Sequence, residues 1–196
     1  MILEFPPYHC DPSKIESTIQ SIIYLDRDDY PIIDDRGHKI WLNKEGKIDR
    51  ENGPAEIWPN GTEIYYRNDK IHRNKGPAII YPDGTQAYYY YGKKHRDKGP
   101  AIIYADGSEE YYQHGKLHRE DGPSRIHHNS FIEYHQNDVL HREDGPAVIY
   151  ADGYISYYQY GLRHREDGPA VIHPNGPAVI HPNGDEEYWE YGVRIK

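Results

Sequence analysis

One motif recurs at a fixed interval and limits what this 196-residue chain can fold into. Gly-Pro stands at Gly53-Pro54, Gly76-Pro77, Gly99-Pro100, Gly122-Pro123, Gly145-Pro146 and Gly168-Pro169, always 23 residues apart. Four residues before each Gly is His (His72, His95, His118, His141, His164), or Asp49 in the first copy. Arg follows every time: Arg50, Arg73, Arg96, Arg119, Arg142, Arg165. A period of this length marks stacked supersecondary units that bury apolar surface only against their neighbours.

Comparing the copies shows what one unit requires. Two residues after each Gly comes Ala55, Ala78, Ala101, Ser124, Ala147 or Ala170, and two further on always Ile: Ile57, Ile80, Ile103, Ile126, Ile149, Ile172. Ten residues after the Ala site is always Tyr, as Tyr65, Tyr88, Tyr111, Tyr134 and Tyr157, and after an insertion Tyr188. The next residue is nearly always aromatic: Tyr66, Tyr89, Tyr112, His135, Tyr158, Trp189. The residue between Ala and Ile drifts through Glu56, Ile79, Ile102, Arg125, Val148 and Val171. Alternation of fixed and drifting positions predicts a strand whose fixed side chains occupy the demanding face.

Turn signals agree. Asn60-Gly61, Asp83-Gly84, Asp106-Gly107 and Asp152-Gly153 separate two strand-like runs, and a second Gly (Gly92, Gly115, Gly161, Gly192) follows the Tyr run. Each copy is therefore two antiparallel strands and two tight turns. Pairing Tyr104 with Ser108 sets Ala101 opposite Tyr111, and the next turn brings Tyr111 opposite His118. Unbroken parity from His118 to Ile126 predicts one long strand per copy, kinked at Gly-Pro because proline has no N–H for the ladder. The fold expected is all-β, an elongated, curved antiparallel sheet of tandem hairpins.

The ends depart from the pattern. Residues 24–46 read as a degenerate first repeat and 47–196 as six tandem repeats. Residues 1–23 read as an N-terminal cap with a short helix: Ser13-Lys14-Ile15-Glu16 is a capping box, and Ile15, Ile19, Ile22 and Ile23 share one helical face. Such a helix covers an edge that otherwise invites another chain. Pro169 to Gly176 is repeated verbatim over 177–184, read as a slippage duplication or as an extra strand for dimerisation.

Units such as Lys116-Leu117-His118-Arg119-Glu120-Asp121-Gly122-Pro123, with Asp-Gly turns such as Asp152-Gly153, resemble a variant of the MORN repeat over roughly residues 24–196. His-Arg-x-x-Gly-Pro-Ala stands where a Gly-x-Gly strand start is usual in that family. The variant also resembles repeat proteins of bacteriophages and giant DNA viruses. The resemblance implies protein–protein scaffolding, here a viral or phage protein aimed at a host factor, with an antitoxin-like inhibitor as a further member of the class.

Composition narrows the function. Tyr accounts for 21 residues against 3 Trp and 2 Phe, which suits sheets carrying amphipathic rings. A net charge of −9 with interspersed signs argues against general nucleic-acid binding, which needs concentrated Lys and Arg. A lone cysteine, Cys10, permits no intrachain disulfide and suits a reducing compartment. The N-terminus lacks a signal-peptide pattern and no run approaches ~18 apolar residues, so a cytoplasmic chain without a membrane span is expected. Acids and His fall on periodic sites, and catalysis needs a unique constellation, so no enzyme, cofactor or metal site is expected; His127-His128 and His173/His181 are irregular, and a weak adventitious metal site there is the alternative. Neighbouring His of the column lie about 9.6 Å apart, too far to share a zinc ion.

The Arg column carries the binding hypothesis. Strand parity puts it on the face opposite the fixed Ile and Tyr, beside the second aromatic column. Arg73, Arg96, Arg119, Arg142 and Arg165 with Tyr66, Tyr89, Tyr112, Tyr158 and Trp189 are the candidate partner-binding set. A guanidinium beside Tyr grips carboxylate or phosphate. Reversing the charge of Arg96, Arg119 and Arg142 together is expected to abolish binding with the melting temperature nearly unchanged. Three classes of function follow. The first is a protein-binding scaffold; the second a binder of a small anionic ligand such as a nucleotide; the third a self-assembling protein pairing through its C-terminal edge.

Overall fold

The computed structural model describes residues 30–166, 170–172, 189–190 and 193–194. The expected capping helix, the 177–184 duplication and the C-terminal edge lie outside these residues. Among the described residues there is no helix, and hence none long and apolar enough to cross a membrane.

Two-residue and three-residue strands form an open antiparallel sheet of 13 strands that add in chain order, from Ile32–Ile33 to Val171–Ile172. Beside it stands a row of separate two-stranded hairpins, one after each pair of sheet strands, such as Tyr112–Gln113 with Lys116–Leu117. Each copy thus gives one hairpin to the continuous sheet and one to the row.

The two turns differ in kind. At the sheet hairpin, Trp58 N–H donates to the Thr62 carbonyl and Gly61 N–H to the Trp58 carbonyl, with Gly61 at φ +90°. This is a three-residue loop ending in a bulged glycine, so Asn60-Gly61 works as part of a longer loop than a two-residue turn. At the second hairpin both central residues have positive φ: Asn68 and Asp69 at 49° and 62°, Tyr91 and Gly92 at 45° and 83°. That is the two-residue turn whose twist matches the flanking strands.

The register inside each hairpin is the expected one. Tyr104 N–H donates to Ser108, Ile102 pairs with Glu110, and His118 N–H donates to the Tyr111 carbonyl. The long kinked strand is not formed. After Lys116–Leu117 the chain runs through bends until Arg125–His127, and the intervening backbone follows side-chain anchors instead of a ladder.

The drifting positions, not the fixed Ile, form the core. Cross-strand partners share a face, so Glu56, Ile64, Ile79, Ala87, Ile102 and Glu110 lie in one row, continued by Arg125, Glu133, Val148 and Ser156. Ile79, Ile102 and Val148 in that row are buried, whereas Ile57, Ile80, Ile103 and Ile126 on the other face are half-buried. The core face drifts because its occupants adjust to one another across strands. The second hairpins cover it: Tyr89 packs with Ala78, Ile79, Ala87 and Ile102, flanked by Ile71 and Tyr112. The Ala site is fully buried in every copy from Ala55 to Ala170, Ser124 included. Its backbone bonds on both sides, as where Ala78 N–H donates to Ala87 and Tyr65 N–H donates to the Ala78 carbonyl.

Candidate functional site

The Arg column does not stand beside the second aromatics. Each guanidinium carbon lies over the ring of the fixed Tyr, at 3.7 Å for Arg73 on Tyr65, 3.9 Å for Arg96 on Tyr88 and for Arg119 on Tyr111, and 4.0 Å for Arg142 on Tyr134. Arg165 sits on Tyr157, and Arg50 on Trp41, which takes the Tyr place in the degenerate copy. The expectation that Arg faces away from the fixed Tyr is thus corrected. Strand parity does not carry through the bends between His118 and Ser124, and the side chain reaches back across them.

The other side of each guanidinium explains the Gly-Pro. Nη1 donates to the carbonyl of the proline four residues on, at 3.0 Å for Arg73 to Pro77 and 3.1 Å for Arg96 to Pro100. A Cβ at Gly53, Gly122 or Gly145 would sit 2.9, 3.1 or 3.0 Å from the guanidinium of Arg50, Arg119 or Arg142. A side chain at these positions would press on the guanidinium and push it off its seat. Tyr ring, guanidinium and glycine form a three-layer staple that closes the His-Arg-x-x-Gly-Pro loop, and Arg119 and Arg142 add ion pairs of 2.8 Å to Asp121 and Asp144.

The His column joins copies. Nδ1 of His72 accepts from Tyr91 N–H at 3.3 Å, that of His118 from Asn137 N–H at 3.4 Å, and that of His141 from Tyr160 N–H at 3.2 Å. The next turn residue also donates to the preceding copy, as Gly92 N–H to the Ile71 carbonyl and Gly161 N–H to the Leu140 carbonyl. Each second hairpin is therefore clamped by the copy before it. His72 stacks on Tyr91 with centroids 4.1 Å apart, and His95 on His114 at 4.3 Å.

The second aromatic column lies on the core face, where Tyr81, Tyr89, Tyr104 and Tyr112 wall a groove of about 710 Å³ above Ala87 and Ile102. Lys94 sits in its wall, its ammonium 4.7 Å from the Tyr112 ring centroid, and burial lowers the pKa of that ammonium. Tyr89 and Tyr112 are raised above the ordinary phenol range, chiefly by burial, and Tyr104 is pushed up to about 12, by burial and then by Glu110. These rings stay neutral donors.

Beside the groove the repeat pattern breaks. Arg125 replaces the aliphatic residue of the drifting site and bridges Glu110 at 3.1 Å and Glu133 at 2.9 Å, on the strands to either side. Tyr112 Oη also donates to Glu110 at 3.1 Å. Ser124 stands where other copies carry Ala, and His135 where they carry Tyr; Ser124 Oγ lies 2.9 Å from His135 Nδ1. Glu133 Oε2 is 3.9 Å from His135 Nε2, which gives the order Ser, His, Glu. Ser124 is 0% exposed, however, so no substrate carbonyl reaches its hydroxyl, and the cluster is a polar seam inside the sheet.

Burial first, then the Arg125 charge, lowers the His135 pKa to about 4 from an ordinary 6.5; Asp138 and Glu110 oppose this weakly. The unfolded chain therefore binds this proton at a higher pH than the folded one. Stability from His135 is complete above pH 6.5, declines as pH falls toward about 4, and levels below that. The full shift corresponds to about 3 kcal/mol, reduced to about 2 kcal/mol by screening at a site water can partly enter. Urea titrations at pH 7 and pH 4.5 should show this loss in the native chain. It should be absent from the Ser124→Ala/His135→Tyr variant, which restores the residues of neighbouring copies; equal losses in both would exclude His135 as the source.

Of the candidate partner-binding residues, Arg73, Arg96, Arg119 and Arg142 thus sit in staples, and Arg165 lies over the Tyr157 ring. Tyr66, Tyr89, Tyr112 and Tyr158 belong to the second column, and the side chain of Trp189 lies outside the described residues. The set is divided between two environments. Sequence reading missed Lys94, Ala87, Tyr81 and Tyr104; the available signal was Ala87 following Ile64 in one column, and Lys94 standing between Ile71 and Leu117 in the other. No group of His, Cys, Asp and Glu suited to a metal ion occurs among the described residues.

No family model matches the chain, and no curated protein was found to be similar to it.

Proposed function

We propose that this chain is a non-enzymatic repeat scaffold that binds another protein on the core face of its sheet, along the aromatic groove. The observation that carries this reading is the groove itself. Four Tyr rings and a lysine flank an apolar floor that no described part of the chain fills. Tyr is favoured at protein contacts because it offers a rigid apolar ring and a polar tip. The resemblance to MORN-type scaffolds supports the same class, and the virus-encoded variants suggest a host protein as partner. A single cysteine suits work in a reducing compartment. The Arg column, first read as the gripping surface, supports the face indirectly by holding each loop in place.

Affinity capture of the tagged chain from its native lysate, beside a Tyr81→Ala/Tyr104→Ala variant, tests the reading. One dominant protein, retained by the native chain and lost from a folded variant, is expected. A partner held equally by both would move the interface to another surface. Release of a nucleotide alone would favour the small-ligand alternative, and recovery of the chain alone would favour self-assembly.

A further inference from the structure

The groove is deep where Ala87 lies. The equivalent position of the preceding copy is Ile64, and the following ones carry Glu110 and Glu133, so the floor is both small and apolar at Ala87 alone among these four. Its volume of about 710 Å³ accommodates one or two side chains and their backbone.

Charge selects what enters. Arg125 is shared between Glu110 and Glu133 and has no call on a further anion. Lys94 is different: among the described residues no carboxylate lies within ion-pair distance of its ammonium, which rests on the Tyr112 ring. A partly desolvated ammonium that rests on a ring, with the Glu110 charge acting on it only at longer range, gains from an incoming anion. The remaining lining charges, Asp83, Asp106 and Glu110, are negative. A di- or triphosphate would meet those carboxylates with one lysine to balance several charges, whereas a single carboxylate is matched by that lysine.

We propose, on the scaffold reading above, that this groove receives an extended segment of a partner protein. The segment places an aromatic or aliphatic side chain over Ala87 and a single carboxylate, within two residues of it, against Lys94. Tyr81 and Tyr104 flank the apolar side chain from the turn side, and Tyr89 and Tyr112 from the hairpin side.

The neighbouring copies supply variants that the fold accepts. Ala87→Ile installs the residue of position 64 and fills the floor; Lys94→Leu installs the residue of positions 117 and 140 and removes the cation. A phage-displayed random decapeptide library is panned on the intact chain, and the strongest binder is measured by fluorescence polarisation against native and variant proteins, whose melting curves confirm folding. The expected winner pairs an apolar residue with one Asp or Glu, and each protein variant weakens it at least about tenfold. Replacing its acid by the amide weakens it equally on the native chain and not on Lys94→Leu. Failure to enrich any such peptide overturns the proposal, as does affinity unchanged by both variants. Peptides that bind elsewhere on the face, or a lysate partner lost with Tyr81→Ala/Tyr104→Ala but indifferent to Ala87→Ile and Lys94→Leu, sink this inference and leave the scaffold reading standing. Adenosine monophosphate bound in a Lys94-dependent way with no peptide enriched sinks both.

Discussion

Arg125→Leu is expected to destabilise the chain by about 3 kcal/mol, although four of the other five copies carry an aliphatic residue there. The loss comes from what stays behind. Glu110, 8% exposed, and Glu133 would face each other across the vacated strand with no cation between them. Tyr112 still donates to Glu110, but a neutral donor does not offset a second, partly buried charge. The full uncharged exchange Glu110→Ala/Arg125→Ile/Glu133→Ser, built from the residues at 87, 102 and 156, should recover native stability or exceed it, because a buried ion triad is rarely better than small uncharged residues that pack there. Urea unfolding monitored by Tyr fluorescence distinguishes the cases. If the single and triple exchanges proved equally stable, the seam would be too wet to matter.

Removing three staples is expected to have the largest effect on stability. Each Arg loses a stacked ring and a charged donor to a carbonyl, together about 2 kcal/mol at a half-buried site. Copies about 9.6 Å apart share no staple atoms, so the losses nearly add, to roughly 6 kcal/mol for Arg96→Leu/Arg119→Leu/Arg142→Leu. The melting temperature should fall by ten degrees or more. This reverses the outcome expected from sequence, that charge reversal here leaves melting nearly untouched. A variant that melted like the native protein and lost a partner would return the Arg column to the binding surface.

The sequence made the hairpins legible because their determinants are local. Turn residues fix the two loops, and pairing Tyr104 with Ser108 carries the register on to His118 with nothing left to choose. Legibility stopped at Glu120-Asp121-Gly122-Pro123. Parity counting assumes an extended backbone, and there the chain bends around a guanidinium. Invariance of Arg, Gly and Tyr was visible, but three residues separated by up to eleven positions do not announce that they stack. The core face was misassigned for a related reason. Fixed Ile looked demanding and drifting residues looked free, yet Ile79 is 2% exposed and Ile80 is only half-buried. Drift in one strand is answered by drift in the next, as Arg125 answers Glu110 and Glu133, and such compensation is seen only once strands are placed side by side.

The clamp on each second hairpin also gives the array a direction in time. The Ile71 carbonyl and His72 Nδ1 that receive the turn at Tyr91-Gly92 belong to the copy synthesised earlier, and the same holds at Leu140, His141 and Gly161. A chain leaving the ribosome N-terminus first therefore presents a finished acceptor before each new hairpin emerges. Folding can keep pace with translation one copy at a time, since the hydrogen bonds between copies described above link neighbouring units. Loss or gain of a whole copy then leaves every remaining acceptor intact, so arrays of this kind can change length in evolution without relearning how to fold.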